Sequence, residues 1–466
     1  MSRSFPVALI LFFLGASATP HAQDLVLRNV NVVDIERGEV DRGRAVTIAG
    51  GRIRLTGPSG SVAAPAGARI IDCENGFLMP ALWDMHIHPW SIDDLTLLVA
   101  NGVGGARIMA GKPEHLAWRA RIELGELLGP RLLIAGPIVE GLPPPEQAKV
   151  VDTADRRLLA TADEGTAEVR KQKAAGFDYI KVYNNLPRDA YRAIAAEAKR
   201  QGMAVVGHVP FQVKLRGALD ARQASIEHLR GYVERLVPAD APVQPGVDLR
   251  SRTLAWEYVD ATRFPALVRE TLTAGAWQCP TLSTRIYESP ADVVEHYLAR
   301  PEAQYLTRAA IGMLRNRQKV KWLSNFTIED FQRALRGDQR EDAFLRSLQA
   351  AGVPLLAGTD IGPLGFSLHG ELERLVAAGL TPREALQAAT INPVRFARRD
   401  NQLGRVQANY EADLVLLEAN PLEDIRNSRR IRAVVTRGRL IERAELDEML
   451  SKARERLMRE PAKESG

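Results

Sequence analysis

Through the middle of this chain, short apolar runs alternate with stretches of helical periodicity, while both ends show apolar and polar residues alternating one by one. From Asp24 to Phe77 the pieces LVLRNVNVVD, RAVTIAG and GRIRLTG, broken by Gly and Asp, predict antiparallel strands joined by turns. The same texture returns in ADLVLLEAN and IRAVVTRGRLI, so the two terminal segments are expected to share one small β-sandwich-like domain. In the body, strands are predicted near Leu82–His88, Gly102–Met109, Arg131–Ile138, Tyr179–Tyr183, Ala204–His208, Ser225–His228, Ala276–Leu282 and Pro354–Gly358, with helical patterns in most of the gaps. Eight strands with helical crossovers predict an α/β fold of the (β/α)8, or TIM, barrel type.

This pattern divides the chain into a leader at 1–22, a β-domain at 23–78, a barrel at 79–398, a returning β-segment at 399–442, and a charged helix and tail at 443–466. Two gaps between strands are unusually long. The stretch from about Arg230 to Glu270, rich in proline and without a clean period, reads as an insertion on the active-site side. The second gap, Ile286 to Gly352, carries helical patterns such as AQYLTRAAIGMLRNRQKVKWL, and either gap can supply a lid.

The leader has Arg3, an apolar run from Val7 to Leu14 and small residues at Ala16, Ser17 and Ala18, the layout of a secretory signal peptide cut after Ala18 or Ala22. Its apolar run is too short for a permanent membrane span. A periplasmic or secreted protein is therefore expected. The rest of the composition changes this picture little. Over 466 residues, 45% are apolar and 26% charged, which are ordinary globular values. The net charge of +5 comes from scattered residues without a basic stripe, so neither a nucleic-acid partner nor a membrane partner is expected, and homo-oligomerisation stays open. Cys73 and Cys279 are expected to be buried free thiols, since they fall in different predicted domains.

Chemistry enters at the strand ends, where five apolar runs each finish in residues able to hold a metal: His86 and His88, Lys181, His208, His228 and Asp360. Residues two apart on a strand face the same way, so His86 and His88 can grip one ion; two ordinary polar histidines are the alternative. Lys181 sits in FDYIKVY, otherwise a buried-strand pattern. Burial lowers a lysine's pKa and leaves a neutral amine able to take up carbon dioxide, whereas a snorkelling or paired lysine would explain it more plainly. His208 and His228 lie one strand-helix repeat apart, and each alone can be a structural histidine. Asp360, in AGTDIG, can touch a metal and accept a proton, or merely cap the next helix. His115 and His296 fall in polar helical stretches and are expected at the surface.

In order and placement, FLMPALWDM followed by His-x-His, then Lys, His, His and Asp, resembles the metal-binding set of the amidohydrolase superfamily. The resemblance implies a binuclear site with His86, His88 and Asp360 on one divalent ion, most suitably Zn2+, and His208 and His228 on the other. Carbamylated Lys181 would bridge them, a shared hydroxide would attack, and Asp360 would be the catalytic proton carrier. The stretch LHGELERLVAAGLTPREALQAATINPVRF is similar to the branch holding imidazolonepropionases and Xaa-Pro dipeptidases. The second strand, NGVGGARIMAG, departs from that branch at Gly104 and Met109.

Export favours amide bonds arriving from outside, so a small-molecule or dipeptide substrate is expected, an Xaa-Pro dipeptide or an N-acyl amino acid. Tyr183, Tyr232 and Arg285 follow strands four, six and seven and, with His369, are candidate substrate contacts. The same nucleophile would serve a lactonase, esterase or phosphotriesterase. A non-catalytic binding protein on this fold is a further alternative, though none of the ligand positions is missing.

Overall fold

The computed structural model describes residues 23–142 and 152–459, so the predicted leader lies outside the described residues. Its centre is a closed ring of parallel strands. Leu82–Ile87, Val103–Ile108 and Arg131–Ile134 pair in order, and a bridge between Ala135 and Tyr179 hands over to Tyr179–Val182, Ala204–Gly207, Ser225–Glu227 and Trp277–Cys279. A bridge from Gln278 to Leu355 brings in the eighth position, and Met85 N donates to Ala357 O at 2.8 Å, which closes the ring. The strands are buried on both faces, as parallel barrel strands must be, and this explains why they read as continuous apolar runs.

Two predicted strands differ from expectation. Arg131–Ile138 stops at Ile134, because Pro137 lacks the N–H a ladder needs; the chain resumes as Ile138–Gly141, which pairs in parallel with Arg156–Leu159. Pro354–Gly358 makes only the single bridge at Leu355 rather than a ladder.

Both ends of the chain meet in one mixed sheet. Its order runs Arg439–Glu442, Ile431–Thr436, Leu414–Leu417, Phe77–Pro80, Leu25–Asp34, Glu39–Ala49 and Arg52–Pro58, with Arg69–Asp72 also on Leu25–Asp34. The expectation of antiparallel pairing holds for Leu25–Asp34 with Glu39–Ala49, but Arg69–Asp72 and Phe77–Pro80 join Leu25–Asp34 in parallel. The hairpin between them turns the chain twice, so it returns in its original direction.

The long gaps fold as helices. The first contains Val233–Leu236, Leu249–Ala255 and Phe264–Ala274. In the second, the stretch read as one helical pattern is broken into Pro301–Tyr305, Arg308–Arg315 and Arg317–Lys319, ahead of the long Ile328–Ala350 helix. The closing helix, Arg443–Arg459, buries Leu446 and Ala453. Among the described residues, no helix is long and apolar enough to cross a membrane. Cys73 and Cys279 are both free and buried.

Candidate metal centre

Strand geometry sets the floor of the site. Alternation on Leu82–Ile87 sends Asp84 and His86 to the same side, and His88, just past the strand end, follows them. His86 is fully buried, whereas His88 and Asp360 keep 30% and 25% of their side chains exposed, so they face the cavity above. His88 Nε2 lies 3.1 Å from Asp360 Oδ1, His86 Nε2 3.6 Å from the same oxygen, and His228 Nε2 3.4 Å from Asp360 Oδ2. Lys181 Nζ is 3.2 Å from His86 Nε2. The His208 ring stands edge-on to His228, with centroids 4.9 Å apart. The six residues read as candidate ligands are thus brought to one end of the barrel.

Each buried imidazole is tied at its other nitrogen. His86 Nδ1 meets Glu227 Oε2 at 2.9 Å, His208 Nδ1 meets Asn184 Oδ1 at 2.8 Å, and His228 Nδ1 meets Thr281 Oγ1 at 2.5 Å. With the proton on Nδ1 where carboxylate or amide oxygen accepts it, Nε2 presents a lone pair to the centre. Glu227 is itself anchored. Arg107 donates to both of its oxygens at 2.9 and 3.1 Å, Ser225 Oγ donates at 2.5 Å, and Arg107 Nε reaches Met85 O at 2.7 Å. Burial works to raise the Glu227 carboxyl, but Arg107 and His86 outweigh it and hold it well below the usual range.

The backbone is bent to serve this geometry. His228, Leu229, Thr281 and Asp360, at the ends of three successive barrel positions, all adopt left-handed φ between 46° and 58°. Each such residue costs roughly 1–3 kcal/mol, which the packed ring beneath must over-determine. At the seam between first and last positions, Asp84 accepts from the Thr359 hydroxyl at 2.8 Å and from the His86 and Thr359 amides. Its burial pushes its pKa up to about 7.

Charge states suit metal binding. Burial lowers His86 to about 4 and takes His208 and His228 well below the usual histidine value, so the imidazoles are neutral near pH 7. Burial also brings Lys181 down to about 8, against the upward pull of Asp360 and Glu227. The donor spacing agrees: a tetrahedral ion with nitrogen ligands at about 2.0–2.1 Å separates its donors by about 3.3 Å, close to the distances found. His86, His228 and Asp360 offer ligand atoms that all lie within 4.8 Å of one another. The residues present therefore fit divalent cations.

A cavity of about 1060 Å³ opens above, lined on the barrel side by His88, Lys181, Tyr183, His208, His228 and Asp360. Both insertions wall it, through Val247, Arg252 and Trp256 from the first and Lys321, Trp322 and Asn325 from the second. Of the four candidate substrate contacts, the structure brings two to this wall. Tyr183 stacks on His208 at 4.1 Å, and Arg285 lines the cavity while held by Asp338, Glu341 and Asp342. Tyr232 does not reach it: its ring is packed against Phe344 and its hydroxyl meets Thr271 at 3.0 Å. His369 is also elsewhere, on the Phe366–Ala377 helix, bonded to Ser428 Oγ and Asn101 O. His296 is exposed as expected, but His115 is buried, with its ring against Trp118.

Sequence reasoning missed Glu227, Arg107, Asn184 and Thr281. A signal existed for two of them: Glu227 directly precedes a candidate ligand, and Arg107 interrupts an apolar strand.

The amidohydrolase family model matches residues 77–441, from the strand that leads into the barrel to the last strand of the terminal sheet. Ochratoxinase of Aspergillus niger is 25% identical over 408 residues, covering 75% of this chain and 72% of that protein. An imidazolonepropionase of Anaeromyxobacter sp. (strain K) is 26% identical over 454 residues, covering 90% and 96%. Among solved structures, a bottromycin amidohydrolase superposes with a TM-score of 0.73 at 25% identity, over 94% of this chain and 92% of that one. With most of its length matched, and a barrel whose strand ends gather imidazoles, a lysine and a carboxylate, this chain belongs to the amidohydrolase family and is a hydrolase of C–N bonds.

Proposed function

We propose that this hydrolase is exported and cleaves the amide bond of a small acylated amino acid, such as an Xaa-Pro dipeptide or an N-acyl amino acid. In this reading it uses two divalent ions, Zn2+ first among them, with Lys181 carbamylated. The observation that carries the reading is the gathering of three imidazole Nε2 atoms within 3.6 Å of Asp360, with Lys181 Nζ 3.2 Å from His86 Nε2. Imidazole and carboxylate donors suit zinc. His86, His88 and Asp360 would hold one ion and His208 and His228 the other. The neutral fraction of Lys181, enlarged by its lowered pKa, would add its nitrogen to the carbon of carbon dioxide and lose a proton, which would leave an anionic carbamate able to help hold the ions. When bound, the ions supply a hydroxide near neutral pH and polarise the scissile carbonyl.

The chain's own groups do the rest. Asp360, surrounded by imidazoles that hold its carboxyl well below the usual range despite burial, is ionised and can take a proton from the attacking water. It returns that proton to the amide nitrogen as the C–N bond breaks, so an amine and a carboxylic acid leave, and the acid loses its remaining proton to water. Glu227, Asn184 and Thr281 keep the three rings turned toward the centre. The cavity volume is of the size that encloses a dipeptide. Export is supported by Arg3, the Val7–Leu14 run and the small residues before the two cleavage points.

The test joins metal analysis to a hydrolysis panel of dipeptides, N-acyl amino acids, lactones and phosphotriesters. The expected result is about two ions per chain and turnover of amides. Full activity with fewer than about one ion per chain, or turnover of lactones alone, contradicts the reading. Asp360→Ala is expected to lower kcat by about a thousandfold or more; an unchanged rate would sink the proton-carrier role. N-terminal sequencing of the exported protein is expected to begin at Thr19 or Gln23.

A further inference from the structure

Most cations on the cavity wall are already engaged. Arg285 lies 3.3, 2.8 and 2.7 Å from Asp338, Glu341 and Asp342. Arg252 gives its Nη1 to the carbonyls of Gly246 and Val247 and lies over the Phe211 ring. Arg156 approaches Glu140 at 3.4 Å and lies over the Tyr183 ring. Lys321, at the mouth, is exposed to water.

Arg230 differs from all of these. It lines the cavity two residues beyond His228, and its Nε, like those of Arg252 and Arg285, is shut off from solvent and has no hydrogen-bond partner. Among the described residues its side chain forms no hydrogen bond or ion pair. Glu288 feels its charge without pairing to it, and is bonded to the Thr253 hydroxyl at 2.6 Å. A buried donor left unpaired carries a penalty that an incoming acceptor removes.

The loop holds Arg230 in this position. His228 and Leu229 have φ of 58° and 46°, and Gly231 follows at 88°. A Cβ at Gly231 would meet Val209 and Leu215 at 3.1–3.2 Å, so the loop lies tight on the barrel and the position favours glycine. Arg230's charge falls on His208, His228 and Tyr183, which line the same cavity. A guanidinium there presents a planar fork suited to a carboxylate beside the reacting bond.

We propose that Arg230 binds a carboxylate carried by the substrate next to the scissile amide, and so selects acylated amino acids over neutral amides. The proposal rests on the amide-hydrolysing reading above. It assigns carboxylate recognition to Arg230 instead of Arg285, whose charge is already taken by three acidic groups.

Two measurements on wild-type, Arg230→Gln and Arg230→Lys holoenzymes test it, with circular dichroism to verify the fold. The first compares kcat/KM for N-acetyl-L-amino acids with that for N-acetyl amines lacking the carboxylate. The expected result is a loss of about 100-fold for the acids in Arg230→Gln, neutral amides changed by less than about threefold, and partial recovery in Arg230→Lys. The second is calorimetric titration with inert probes, 3-phenylpropanoate and 3-phenylpropan-1-ol. Wild type is expected to prefer the acid, and Arg230→Gln to lose that preference. An equal loss on acids and neutral amides overturns the proposal, as does acid binding that is unchanged in Arg230→Gln or absent in wild type. If no amide is hydrolysed but Arg230-dependent acid binding persists, only the amide reading fails.

Discussion

At the scale of single residues, the ligand-like side chains announce themselves in sequence, and the groups that aim them do not. A histidine at a strand end is visible as a type and a position. That Glu227 turns His86 depends on which strands are neighbours, and residues 86 and 227 become adjacent only when the ring closes. Arg107 is a similar case, since its fully buried guanidinium makes sense only once Glu227 and Ser225 are found at its end. Tyr232 shows the opposite error: a residue four past the expected strand end at His228 looks exposed in sequence, but the short Val233–Leu236 helix carries the ring into an apolar cluster. The support that Glu227 gives His86 is testable. Glu227→Gln is expected to weaken metal affinity by about 10–100-fold, read by competition with a chelator, while leaving the residual metal-loaded enzyme folded. An unchanged affinity would mean that the His86 ring is fixed by packing alone.

At the scale of elements, parallel strands buried on both faces were legible because their apolar runs are continuous. The eighth position was legible only as a run, since one bridge at Leu355 and a set of single amide bonds replace a ladder there. The reason is local. Gly358 passes so close to the seventh and first strands that a Cβ would sit 2.5 Å from Cys279 Sγ and 2.8 Å from His86 Cβ, while Asp360 N donates to His86 O at 2.8 Å. Glycine thus sets the spacing between Asp360 and His86. Gly358→Ala is expected to cost about 1–3 kcal/mol of stability, as overpacking does, and to lower kcat by more than the stability loss explains, because Asp360 moves with the backbone. Urea denaturation and steady-state kinetics at saturating metal measure the two effects. Wild-type kcat in a destabilised Gly358→Ala would separate the spacing from catalysis.

At the scale of the whole molecule, the β-sheet shared by both ends was anticipated from matching texture, but its parallel pairings were not, since direction depends on how many turns intervene. Burial of His115 was also missed, because its polar helical neighbours hide the contact with Trp118. That burial has a consequence for the molecule's response to acid. Burial lowers His115 to about 4, with Glu114 pulling up and Lys112 and His88 pushing down, and lowers His369 to about 3, with Arg429 adding to the effect. An unfolded histidine titrates near 6.5. Between pH 6.5 and 4 the unfolded chain therefore takes up protons that the folded chain refuses, and stability falls as pH falls. Asp84 and Glu341, raised to about 7 by burial, act with the opposite sign, since the folded state protonates first as pH drops from 7 toward 4. The histidine contribution is therefore best isolated as a difference between variants. His115→Gln is expected to flatten the decline of the urea midpoint between pH 6.5 and 4 relative to wild type, with little change above pH 7, where both histidine states are neutral. Parallel pH profiles for the two proteins would show that His115 takes up its proton as readily in the fold as in the unfolded chain.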